Sequence, residues 1–106
     1  MALTGKKLSV LISCGPQHPG FRHGVRLAQT ALDAGVQVYL YCLDDAVTAV
    51  SDPHLQTLRQ RGLNLFACAY GAQRRDLPVT DLAAFSGLST LTELIAGSDR
   101  FLSFGP

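Results

Sequence analysis

The chain has 106 residues, of which 47% are hydrophobic and 16% are charged, and its formal net charge is +1. This length can bury one core of sheet and helices but is too short for two domains, so we predict a single domain over residues 1–106. A nearly neutral chain gives no reason to expect nucleic acid or a membrane as a direct partner. The low share of charged residues leaves apolar surface to cover, which favours an oligomer.

Three cysteines at wide spacings indicate the compartment. An odd number of this kind fits free thiols in a reducing environment better than a secreted disulfide framework. The apolar run at residues 8–14 is too short for the core of a signal peptide, and no stretch reaches the roughly 18 residues of a membrane span. We therefore expect a cytoplasmic protein.

The first half of the chain alternates between strand and helix patterns. The apolar run at residues 8–14 ends in Gly15-Pro16 and predicts a strand buried on both faces. Residues 21–34 carry apolar side chains at helical spacing and precede Gly35, which predicts a crossover helix. The β-branched and aromatic run at residues 36–42 predicts a second strand.

The second half continues this alternation. Asp44 or Asp45 is expected to cap a short helical run over residues 46–50, and Pro53 suits the first position of a helix that includes residues 54–61. Residues 63–67 predict a third strand, 69–75 and 87–96 predict helices, and 100–104 predict the last strand, whereas residues 79–86 have no clear pattern. The order predicts an α/β flavodoxin-like three-layer sandwich with a mainly parallel sheet.

The three cysteines fall near the carboxyl ends of predicted strands. Parallel strands present these ends at one edge of a sheet, so we expect Cys14, Cys42 and Cys68 on a common rim. Free cysteine is among the most buried residue types, and we therefore interpret Cys14 and Cys42 as packing residues.

Cys68 is the candidate for thiol chemistry because it stands at the start of a predicted helix. The first-turn amides favour a thiolate there, and Arg74 and Arg75 follow about two turns along, near the same face. Small residues on both sides of Cys68 are expected to leave the sulfur unshielded, as exchange with a partner's thiol requires. The two arginines could equally form a solvated helix end.

Other motifs are weaker. His18 and His23 with Cys14 match no zinc spacing, so no metal is expected. The loop at residues 15–20 has the glycine spacing of a phosphate loop but lacks its Lys and hydroxyl, although it could bind an anion with Arg22 at the helix start. No Ser-His-Asp order or carboxylate pair supports hydrolysis.

Residues 65–75, which read LFACAYGAQRR, resemble the segment of DsrE and TusD sulfur-relay proteins in which a strand leads into a cysteine, small residues and an Arg-Arg pair. The likeness extends to the Gly-Pro turn after the first strand and to the closing helix and strand, residues 87–101. It implies that Cys68 carries a persulfide, with Arg74 and Arg75 stabilising the thiolate or steering anions. The candidate auxiliary residues are Cys14, Cys42, Tyr70, His18 and His23.

The resemblance also implies partners. It predicts sulfur donor and acceptor proteins, in sulfur metabolism or tRNA thiolation, and a trimer or hexamer made of this chain or of related subunits. No cofactor is expected, because the chemistry is thiol exchange. Asp76 stands where the family usually has glycine, and residues 44–53 and 77–86 are shorter than in TusD-like chains.

Two alternatives stay open at the level of sequence. The chain could be a non-catalytic assembly subunit in which the cysteine is structural. It could also be a thiol redox switch that pairs Cys68 with Cys14 or Cys42, provided that the geometry allows a disulfide.

Overall fold

The computed structural model describes residues 3–106, so Met1 and Ala2, which the single-domain prediction includes, lie outside the described residues. The predicted elements are present, with one strand added between the last two helices. In chain order they are β1 (Lys7–Ile12), α1 (Pro19–Asp33), β2 (Gln37–Cys42), a 3₁₀ helix (Asp44–Ala49), α2 (Pro53–Gln60), β3 (Asn64–Cys68), α3 (Ala69–Arg74), β4 (Ala84–Ser86), α4 (Leu88–Gly97) and β5 (Arg100–Phe104).

The strands form one sheet in the order β4-β3-β2-β1-β5, and all four neighbouring pairs are parallel. The prediction of an α/β fold with a parallel sheet is confirmed. The chain winds in one direction from β1 to β4, and α4 then carries it back across the sheet to β5. The edge position beside β1 therefore belongs to the last strand, whereas flavodoxin has its second strand there.

The two faces of the sheet build two separate cores. Alternate residues such as Ile12, Leu40 and Ala67 face α1 and α2 and belong to the larger core. Their neighbours in sequence, including Tyr41 and Cys68, belong to a smaller core with α3 and α4. Because side chains alternate along a strand, each strand contributes to both cores, which is typical of a buried parallel sheet.

The surface formed by α4 and β5 is the least covered part of the described chain. No residue of α4 is buried, and Leu88, Ile95 and Leu102 are 57%, 44% and 45% exposed. Leu88 and Ile95 lie on α4, over one face of the sheet, whereas Leu102 pairs with Val10 and projects from the face that packs on α1. None of the helices in the described part of the chain has the length and apolarity needed to cross a membrane.

Two local predictions differ from the structure. The segment left unassigned contains β4, which has only three residues and none that is β-branched, so it gave no strand pattern. Asp44 and Asp45 lie inside the 3₁₀ helix rather than capping it, and Leu43 occupies the N-cap position. At α2 the predicted position of Pro53 is confirmed, because the helix begins there. Asp52 is its N-cap, and its side chain accepts a hydrogen bond from the Leu55 amide at 3.1 Å.

The first turn of α1 lies very close to the end of β5. A Cβ atom at Gly20 would lie 2.6 Å from the carbonyl oxygen of Gly105 and 3.3 Å from Sγ of Cys14. The Gly105 oxygen is part of the backbone and cannot turn aside, so this approach requires glycine.

We expect the substitution Gly20→Ala to lower the free energy of unfolding by about 1–3 kcal/mol, since it overpacks a contact with the backbone. Urea denaturation measures this change. The matched control is Gly97→Ala, at the last residue of α4, where an added Cβ meets no atom within 4 Å. Equal effects of the two substitutions would contradict the close approach.

Candidate functional site

Cys68 connects two elements of the site. It is the last residue of β3 and the N-cap of α3, and its Sγ accepts a hydrogen bond from the Gly71 amide at 3.4 Å. The prediction that small neighbours leave the sulfur unshielded is wrong, because Cys68 is only 4% exposed. Two residues of α4, Leu91 and Leu94, help to cover the face of the sheet on which Cys68 lies. They are distant from Cys68 in sequence, so the residues next to Cys68 do not reveal this cover.

Cys68 nevertheless lines a cavity of about 630 Å³ at the carboxyl edge of the sheet. Four of the predicted site residues line it, namely Cys68, Tyr70, Arg74 and Arg75. The remaining wall comes from the segment after β2 and from the junction of β4 with α4. The structure thus combines a thiol and two guanidinium groups in one concave site.

The two arginines differ in what they contact. Arg75 donates to Asp45 Oδ1 from Nη2 at 2.8 Å and from Nε at 3.3 Å, and its Nη1 donates to the Gly71 carbonyl at 3.2 Å. These bonds tie the 3₁₀ helix to α3 beside the cavity. Asp45 therefore offsets the charge of Arg75, and sequence reasoning missed this partner because it assigned Asp45 to a helix cap.

Arg74 is the more available cation. Its guanidinium carbon lies 5.8 Å from the centre of the Tyr70 ring, an arrangement typical of a cation–π contact. Tyr70 is 65% exposed, and among the described residues Arg74 makes no ion pair. The positive charge at the cavity mouth thus comes mainly from Arg74.

Tyr41 is a neighbour of Cys68 that the sequence analysis did not single out. Its ring is buried and stacks on Phe66 with centroids 6.5 Å apart, and its hydroxyl donates towards the carbonyls of Ser86 at 3.1 Å and Gly87 at 3.2 Å. Burial raises the pKa of Tyr41, the Ser86 side chain lowers it, and the charge of Cys68 and a hydrogen bond with it raise it. One signal was present, because a tyrosine in a doubly buried strand needs a partner for its hydroxyl.

Cys14 and Cys42 lie at the same edge as Cys68 but not on the same face. Cys42 pairs with Ala67 in the ladder, so these two side chains share one face and Cys68 points to the other. Cys14 and Cys42 both belong to the larger core, and all three thiols are free. The sheet therefore separates Cys68 from the other two, and the structure does not support the redox switch.

His18 and His23 line a different cavity, of about 200 Å³, at the start of α1. Arg22 and Arg26 contribute to that cavity, and it shares no lining residue with the cavity at Cys68. Within residues 3–106 no group of three or more His, Cys, Asp or Glu side chains is placed to hold a metal ion. The histidines thus lie outside the site that contains Cys68.

The buried thiol of Cys42 makes stability depend on pH. Burial raises the pKa of Cys42 from 9.0 to about 12. The unfolded chain therefore loses this proton at a lower pH than the folded chain, and the stability that the neutral thiol contributes is present below about pH 9 and is lost as the pH rises towards 12.

We expect the variant Cys42→Ala to lose stability less steeply than the parent above about pH 9. The two slopes should differ by up to about 1.4 kcal/mol per pH unit. Denaturant midpoints measured across this range under reducing conditions test the expectation. Parallel curves for the two proteins would contradict it, whatever the constant offset caused by the lost sulfur atom.

Comparisons with known proteins identify the family. The DsrE/DsrF-like family matches residues 6–104. The crystal structure of the YchN protein from E. coli superposes with a TM-score of 0.81 at 20% sequence identity, over 93% of this chain and 99% of that chain. No curated protein sequence matches. The structural match supports the fold, and the family match covers nearly the whole chain, which therefore belongs to the DsrE/DsrF-like family.

Proposed function

We propose that this protein is a sulfur carrier that holds sulfane sulfur as a persulfide on Cys68 and passes it to a partner protein. In the loading step the Cys68 thiolate attacks the outer sulfur of a donor persulfide, R–S–SH. The donor's S–S bond breaks, R–S⁻ leaves, and Cys68–S–SH forms without net oxidation. In the transfer step an acceptor thiolate attacks the same outer sulfur, and Cys68 leaves as a thiolate.

The observation that carries the proposal is the position of the Cys68 sulfur in the wall of a concave site, beside an amide donor and a free guanidinium group. The family match gives independent support, because members of this family work in sulfur-relay complexes. The thiol exchange needs no cofactor. The proposed partners are therefore a sulfur donor protein and an acceptor protein, in a reducing compartment such as the cytoplasm.

The burial of Cys68 limits how a partner reaches it. Cys68 as a residue is only 4% exposed, so a bulky folded surface cannot approach its sulfur directly. A persulfide adds an S–S bond of about 2 Å, which moves the reactive outer sulfur away from Sγ and into the cavity. A donor or acceptor cysteine on a projecting loop or tail, or a small sulfane compound, fits this access route.

We expect Cys68→Ala to abolish sulfur loading while the protein stays folded, because the thiol that lines the cavity is removed. The native protein is incubated with polysulfide, and intact-mass spectrometry with peptide mapping detects a gain of one sulfur atom that reductant reverses. The control Cys14→Ala removes a thiol from the other face of the sheet and should load normally. Loading that persists in Cys68→Ala would contradict the proposal.

Arg74 should steer anionic sulfur donors to the cavity. We expect Arg74→Gln to slow the alkylation of Cys68 by the anion iodoacetate roughly threefold relative to the neutral reagent iodoacetamide, as suits one exposed charge. Raising the salt concentration should erase the difference. Arg26→Gln removes the same charge from α1, outside this cavity, and serves as the control. Equal rate ratios in the two variants would exclude the steering role.

A second candidate is a non-catalytic subunit of a sulfur-relay assembly. The burial of Cys68 and the exposed apolar side chains on α4 and β5 favour it. The same side chains suit contacts between copies or related subunits, so we also propose an oligomer, whichever role Cys68 has. Alkylation under native conditions distinguishes the roles: an inert Cys68 supports the assembly subunit, and a reactive Cys68 supports the carrier.

A further inference from the structure

Two neighbouring strands place hydroxyl groups on the same face of the sheet as Cys68. In the ladder Cys68 pairs with Ser86 of β4, so both side chains project from the same face of the sheet. Tyr41 of β2 projects from that face too, because it pairs with Phe66, two residues before Cys68. Its long side chain reaches the carbonyls at the end of β4. The parallel pairing thus groups a thiol, an aliphatic hydroxyl and a phenol.

Ser86 has a buried hydroxyl that lacks a partner. Its Oγ is inaccessible to solvent and meets no partner in full hydrogen-bonding geometry, and within the described residues it is the one buried side-chain polar atom of this kind. The Tyr41 hydroxyl is close to it, since burial raises the pKa of Tyr41 whereas the Ser86 side chain lowers it. A buried polar group without a partner destabilises a protein and calls for an explanation. The side chain of Cys68 projects beside Ser86 from the same face of the sheet, so a sulfur anion there could accept a hydrogen bond from the Ser86 hydroxyl.

The hydroxyl of Tyr41 is also placed to donate. It has one proton, two carbonyl oxygens lie within its reach at 3.1 and 3.2 Å, and, beyond the effect of burial, the side chain of Cys68 is close enough to raise its pKa. Burial raises the pKa of Tyr41, which keeps the phenol protonated and able to donate. A charged acceptor binds a donor more strongly than a neutral carbonyl does, so an anion on Cys68 would attract this proton.

We propose that the hydroxyls of Tyr41 and Ser86, together with the Gly71 amide, form a three-donor site that holds the Cys68 sulfur as an anion. The role of these donors in sulfur transfer rests on the proposed function. The thiolate is the nucleophile when sulfur is loaded and the leaving group when sulfur is transferred, so donors at this atom act in both steps.

The charged groups around Cys68 come from two elements. Arg74 and Arg75 extend from α3, and Asp44 and Asp45 extend from the 3₁₀ helix, where Asp45 is bound to Arg75. The strands β3 and β4 and the first turn of α4 contain no charged residue. The two hydroxyls are thus the main polar side-chain groups on the strand side of the sulfur, whereas the guanidinium groups act from the helix side.

The test measures the rate at which iodoacetamide alkylates Cys68 as a function of pH, without any sulfur donor, with mass spectrometry assigning the site. Tyr41→Phe removes only the hydroxyl and keeps the stacking on Phe66. We expect it to raise the pH of half-maximal alkylation by roughly one unit, the size of a hydrogen bond to a charged group. Ser86→Ala should shift the profile in the same direction.

Matched controls remove the same chemical groups elsewhere. Tyr39 lies on the same strand as Tyr41, and its hydroxyl lies near Gln37, so Tyr39→Phe removes a phenol hydroxyl away from Cys68. Ser103 lies on the edge strand β5, so Ser103→Ala removes a serine hydroxyl there. Both should follow the parent profile. Profiles like the parent's in both Tyr41→Phe and Ser86→Ala would overturn the proposal, and so would equal shifts in the two controls. If only one of the two variants shifts the profile, the residue whose variant does not shift it is not a donor to the sulfur.

Two features keep the test decisive. If Tyr41→Phe does not fold, Ser86→Ala still tests the site, because it changes an edge strand of three residues. The alkylation profile does not depend on sulfur transfer, so a chain that fails to load sulfur rejects the carrier function without deciding this proposal. In a chain that does load, the same variants should also slow the release of sulfur to a small acceptor thiol.

Discussion

The parallel register of β2, β3 and β4 is the constraint on which the site depends. It fixes which residues share a face of the sheet. It pairs Cys68 with Ser86, and it pairs Tyr41 with Phe66, two residues before Cys68. A slip of β3 by one residue against β2 would turn Cys68 towards the larger core, where Cys14 and Cys42 already lie. The chemistry assigned to one thiol out of three therefore follows from strand pairing rather than from the cysteine's immediate neighbours.

The sequence predicts the positions along the chain better than the positions across the sheet. Apolar runs that end in Gly-Pro or cysteine revealed the strands β1, β2 and β3, and thereby the edge at which all three cysteines lie. Which face each thiol occupies depends on register, and no local pattern in a doubly buried strand reveals it. Tyr41 and Ser86 were missed for the same reason, since their role arises only where three strands meet.

The strand β4 shows a second limit of sequence analysis. It has three residues, and the loop before it contains Pro78 and polar side chains, so neither length nor alternation marked it. Pairing with β3 makes it a strand, because the edge of β3 offers backbone groups that Ala84–Ser86 can satisfy. The element that is least visible in the sequence thus supplies one wall of the site.

The contrast between the buried thiols separates a packing role from a chemical one. Cys42 lies among apolar side chains, and burial alone raises its pKa to about 12, which keeps it neutral and inert. Cys68 is almost as buried, but it accepts a hydrogen bond from an amide, lines a cavity with two guanidinium groups and shares its face of the sheet with the hydroxyls of Tyr41 and Ser86. Exposure therefore does not distinguish the cysteine that we propose as reactive from a structural one. The polar groups that can support an anion on the sulfur make the distinction, because they offset the loss of hydration that burial imposes.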